Sequence, residues 1–71
     1  MKLSYFADTD TLYVELAASK SGESEEISDG VVADYDGEGR LLGLEIEHAS
    51  TRIDVTRLET VGLPIGQLLA A

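Results

Sequence analysis

The 71-residue sequence predicts an α+β, mainly β domain: an antiparallel meander of four to five strands with a short C-terminal helical segment. Three observations predict it. Two stretches alternate apolar and polar residues with period two, each broken by turn chemistry. In each, one pairing register collects the apolar side chains on a single face. After a lone proline the spacing becomes helical.

The first stretch places Leu3 and Tyr5 against Lys2 and Ser4, and resumes after Ala7-Asp8-Thr9-Asp10 with Leu12, Val14 and Leu16 against Thr11, Tyr13 and Glu15. Setting Tyr5 opposite Leu12 brings Leu3 opposite Val14 and Met1 opposite Leu16. Every apolar residue of this hairpin then shares one face, apart from Phe6 and Tyr13. Residues 17–23 are small and polar and read as a surface loop, with Glu25-Glu26-Ile27 as a short edge strand whose charges discourage edge-to-edge pairing. Asp29-Gly30 opens a second hairpin. Val31, Ala33 and Tyr35 alternate with Val32, Asp34 and Asp36, and Gly37-Glu38-Gly39-Arg40 turns the chain into residues 41–46. The register Tyr35 opposite Leu42, Ala33 opposite Leu44 and Val31 opposite Ile46 leaves Asp34, Asp36, Glu45 and Glu47 on the other face. Beyond His48 two readings compete for residues 54–62: a helical turn capped by Asp54, running through Val55 and Leu58 and ended by Gly62, or a strand over residues 57–61. Pro64 at a first helical position, with Ile65, Leu68 and Leu69 at helical spacing, predicts the C-terminal helix, which needs the apolar sheet face or a second subunit to lie on.

Fourteen Asp and Glu against five Lys and Arg give a formal charge of −9. Such a chain repels phosphate backbones and anionic lipid, so neither nucleic acid nor membrane is expected as a partner, and a basic protein is favoured. The length suits one domain over residues 1–71. A fold this small buries only about 60 % of the surface its unfolded chain exposes, so dimerisation would support it. No apolar run approaches the roughly 20 residues of a membrane span, and the first residues lack the pattern of a signal peptide, which makes the cytoplasm the expected compartment. Cys is absent, which removes disulfides, thiolate nucleophiles and thiolate metal sites.

The sharpest local motif spans residues 34–45 and nearly fits a twelve-residue calcium loop, Glu38 alone breaking it. Asp34, Asp36, Glu38 and Glu45 are the candidate metal ligands, because a hard cation takes carboxylates at alternating positions, a Gly at the bend and a bidentate Glu at the end. The flanks alternate as strands, and a Gly-rich hairpin turn accounts for the same residues without a metal. Asp8 and Asp10 read as turn residues. His48, the one His, has Glu45, Glu47, Ser50 and Thr51 close in sequence, which would suit a general base beside a hydroxyl, but one His at a strand end reads as a surface or capping residue. No catalytic residue and no cofactor are assigned. Tyr5 and Tyr35 belong to the apolar face, whereas Phe6 and Tyr13, with Glu45 and Glu47, are the candidate partner-binding residues of the polar face.

Lys2-Leu3-Ser4-Tyr5, the run from Asp10 through Leu16, Glu25-Glu26, the run from Gly30 through Asp36 and the run from Gly39 through Ile46 together resemble the small bacterial and archaeal DUF2283 family, over about residues 2–51. Two positions depart from its pattern. Phe6-Ala7 replaces the Asp-Pro usual after the first Tyr, and His48 stands where Asp commonly precedes Ala49-Ser50. The resemblance implies a fold and brings no catalytic residues. Members are thought of as partners of small toxin-like proteins encoded nearby, so it makes this chain look like an antitoxin masking a basic ribonuclease-type toxin. The expectation is therefore a non-enzymatic interaction module, a homodimer, with a small basic protein as partner; the alternative is a calcium-binding protein built on the second hairpin.

Overall fold

In the computed structural model, which describes residues 1–71, period-two alternation becomes five strands and one helical turn: β1 (Lys2–Phe6), β2 (Thr11–Glu15), β3 (Ser21–Ser28), β4 (Val31–Asp36), β5 (Leu41–Ile46) and α1 (Ala49–Arg52). All pairings are antiparallel, in one sheet of order β1-β2-β5-β4-β3. The mainly β class and the single antiparallel sheet match the sequence reading. Meander connections run through β3, β4 and β5, and the first hairpin adds on through β2 beside β5. Residues 16–20 therefore cross from β2 to β3 past the end of the β4–β5 hairpin.

Pairing in the first hairpin is as expected, with Tyr5 opposite Leu12 and Leu3 opposite Val14. In the second, Val31 meets Ile46 and Ala33 meets Leu44, but Tyr35 lies opposite Leu41 rather than Leu42. Leu42 is the extra residue of a β-bulge. Its carbonyl, turned out of the β4 ladder, accepts the N–H groups of Leu16 at 2.7 Å and Ala17 at 3.2 Å, so the bulge ties down the start of the crossing segment. The crossing segment then delivers a longer edge strand than the charges suggested. β3 begins at Ser21, inside the expected loop, because backbone pairing with β4 overrides the polar composition. Gly22 is required in this passage. A Cβ there would lie 2.8 Å from the Asp36 carbonyl carbon.

The C-terminal expectation is corrected in place. The one helical turn is α1, directly after β5; residues 54–71 form neither the helix after Pro64 nor the strand over residues 57–61. Asp54 does accept the Thr56 N–H at 3.0 Å, but this closes a local turn and no helix follows. A helix of a few residues has a costly nucleus and forms only against a packing surface. Here no residue beyond Ala49 is buried.

Register divides the sheet into two chemically distinct faces. Leu3, Tyr5, Leu12, Val14, Val31, Ala33, Leu44 and Ile46 share one, with Glu25 of the edge strand β3, and Ser4, Tyr13, Glu15, Glu26, Val32, Asp34 and Glu45 share the other. Burial is shallow. Only seven residues are buried, Ala33, Leu42 and Ala49 being the hydrophobic ones.

Candidate functional site

Chemistry-bearing residues gather in three places. The first is the β4–β5 turn, which the sequence offered as a calcium loop. Asp36, at the end of β4, is 7 % exposed; its Oδ1 accepts the N–H groups of Glu38 at 2.8 Å and Arg40 at 2.9 Å, and its Oδ2 takes Arg40 Nε at 3.0 Å. Arg40 also reaches Glu38 at 3.2 Å. The backbone N–H of Arg40, then that of Glu38 and the guanidinium, hold the Asp36 carboxyl below its usual range. These lone pairs organise the turn. Asp34 accepts the hydroxyl of Ser24 on β3, and Glu45 lies one strand away on β5, opposite Tyr13 and Val32. The structure thus pairs Asp36 with Arg40 and Glu38 with Arg40, and brings no three of the four proposed ligands around one point.

The second place is the polar face around Tyr13. Gly43 leaves a gap on β5 that the Tyr13 ring fills: a Cβ at Gly43 would meet the Val14 carbonyl oxygen at 2.7 Å and Tyr13 Oη at 2.8 Å. Desolvation, then the neighbouring Asp34 carboxylate and the charges of Glu15 and Glu45, raise the Tyr13 pKa. Carboxylates from β2, β4 and β5 therefore surround one phenol. Of the residues proposed for partner contact, Tyr13 and Glu45 sit together there, partly buried. Phe6 is apart, at the end of the edge strand β1 and half exposed, and Glu47 lies beyond β5 with its N–H on the Gly30 carbonyl. Lys2 is the one basic strand residue on this face. The other cations are engaged elsewhere, Arg40 in its turn, Arg52 on the Asp29 carbonyl at 2.6 Å and Arg57 on Glu59 at 3.1 Å, except Lys20 in the crossing segment.

The third place was not assembled from the sequence. Asp10 takes a positive φ of 52°, and its carboxylate accepts Tyr5 Oη at 2.7 Å, Ser50 N–H at 3.0 Å and Ser50 Oγ at 2.7 Å, while its carbonyl accepts the Ala49 N–H at 2.9 Å. His48, also left-handed at φ 53°, sits at the N-cap without a side-chain cap bond. Its role is positional: the left-handed turn swings α1 onto Asp10. The Ser50 hydroxyl, then Tyr5, hold the Asp10 pKa below its ordinary value, with a smaller contribution from His48. A carboxylate so stabilised is a weak base, so the arrangement suits anchoring the chain rather than activating the Ser50 hydroxyl. At the other end of α1, Arg52 packs under Gly30, where a Cβ would fall 2.7 Å from a guanidinium nitrogen.

No helix is long and apolar enough to cross a membrane. An open surface groove of about 600 Å³ lies beside the β3–β4 ends, with Glu23, Tyr35 and Asp36 along it. Fold and sites together define a small acidic single-sheet protein with one apolar and one carboxylate-rich face. The chain belongs to DUF2283, a family of proteins of unknown function, whose model matches residues 2–50. That match ends at Ser50, the residue that closes onto Asp10. Comparison with curated proteins and with solved structures gave no match.

Proposed function

We propose that this chain is a non-enzymatic protein-interaction module whose carboxylate-rich face receives a small basic protein, in the manner of an antitoxin that neutralises a basic toxin. The observation that carries the reading is the convergence of Glu15, Asp34 and Glu45 around Tyr13, a semi-rigid aromatic in a field of negative charge. Tyr supplies contact area at small entropic cost, and carboxylates that outnumber Lys2, the one cation of this face, and form no ion pair with it steer a basic partner and select against acidic ones. The net charge of −9 extends the same field over the molecule.

Affinity purification of the tagged protein from its native host, with mass spectrometry of the eluate, tests the reading. The expected result is a small basic protein at stoichiometric level that raised salt releases. An eluate holding the bait alone at low salt overturns it.

A further inference from the structure

We infer that the apolar face of the sheet is the interface of a dimer, covered by the same face of a second copy of this chain. The inference is independent of the partner reading above, which uses the opposite face. The single chain exposes 5637 Å², whereas a folded monomer of its mass exposes about 4,300 Å². The difference, about 1,300 Å² per chain, corresponds to about 2,600 Å² in a pair, which falls in the range of obligate homodimers. Compactness agrees: the radius of gyration is 13.0 Å, against about 11 Å for a compact chain of this length.

Where that surplus lies selects the occupant. Across β1, β2, β5 and β4 the apolar face carries no charged residue, Glu25 opposite Ala33 and Glu23 opposite Tyr35 adding charge only along the β3 edge, and it includes Leu3 and Tyr5, each 45 % exposed. Part of the surplus lies outside the sheet, on Leu58, Val61, Leu68 and Leu69, each more than 60 % exposed. A basic partner has nothing to pair with on such a face. A second copy presents the same uncharged four-strand surface, and packing two sheets over it at about 10 Å points both carboxylate-rich faces outward and leaves the β3 glutamates at the rim, which separates the charges. Edge pairing through β1 alone would bury one five-residue strand and leave most of the surplus exposed.

Light scattering and sedimentation equilibrium on the full chain at micromolar concentration test the inference, together with Val14→Glu and Leu3→Glu. The expected mass is twice the 7.6 kDa of one chain, dropping to the monomer in both variants. A folded wild-type monomer overturns the inference, and so does a dimer that survives both substitutions. Should the variants fail to fold, the wild type decides: in a mixture of isotope-labelled and unlabelled chains, intermolecular NOEs from the Val14 and Leu44 methyls are expected. Intermolecular NOEs confined to β3 or to the polar face overturn it.

Discussion

At the residue scale, two aspartates hold the ends of the sheet together. Asp36 fixes the β4–β5 turn through two backbone N–H groups, and Asp10 joins the β1–β2 turn to α1 across 40 residues of sequence. Both carboxyls have lowered pKa values in the folded chain, as does Asp54 through the Thr56 hydroxyl and N–H. A lowered native pKa means that the unfolded chain binds protons first on acidification. The stabilisation is complete above the ordinary aspartate value of about 3.9 and is lost as pH falls through the lowered native values. Thermal unfolding followed by circular dichroism should therefore show a midpoint that falls as pH drops below about 4, with a shallower fall in Asp10→Asn with Asp36→Asn. A midpoint flat from pH 6 to 3 would contradict this assignment. Gly43 gives a second residue-level prediction. Its Cβ position lies against backbone on one side and the Tyr13 ring on the other, so Gly43→Ala should cost about 1–3 kcal/mol, read as a lower denaturation midpoint, and Gly43→Ala with Tyr13→Ala should recover part of the loss.

At the element scale, strands were legible where chemistry is local and hidden where it is not. Alternation in residues 2–16 and 31–46 gave both hairpins and most of their pairing, because a one-residue slip would move every apolar side chain to the polar face. Leu42 escaped because a bulge keeps the alternation on one strand while shifting its partners, and the reason for it, the N–H groups of Leu16 and Ala17 in the crossing segment, is remote in sequence. The long β3 escaped because Ser, Gly and Glu lack strand patterning. The reading of a helix after Pro64 weighed spacing alone, without a surface to pack on. The carboxylates were named in sequence, but the Tyr13 ring over Gly43 and the Asp10–Ser50 contact depend on which strands become neighbours. A left-handed conformation at Asp10 and His48 was the one local hint, since Asp tolerates it better than most residues. β3 also gives a prediction. It is an eight-residue, fully exposed edge that carries Glu23, Glu25 and Glu26, and such charges block edge-to-edge pairing. Replacing all three with Thr should yield concentration-dependent aggregation in light scattering, while the same change at Glu59 outside the sheet should not.

On the scale of the whole molecule, a shallow core and a charge of −9 act against each other. Seven buried residues supply little stabilisation, and self-repulsion among fourteen acidic side chains opposes compaction. Raising NaCl from low concentration to about 0.5 M shortens the Debye length to a few ångströms, so the melting midpoint should rise with salt. Affinity for a basic partner should fall over the same range. The two opposite salt responses follow from one charge distribution, a net −9 with Glu15, Asp34 and Glu45 gathered on one face of the sheet. The central claim is that this outward face recognises a basic protein. Its most direct measurement is a paired purification from the native host, using wild-type bait and Glu15→Lys with Glu45→Lys bait, both verified as folded, with the eluates quantified by mass spectrometry. The account predicts a small basic protein at stoichiometric level with the wild type and a loss of at least tenfold with the charge-reversed bait; equal recovery on both baits, or none on either, would contradict it.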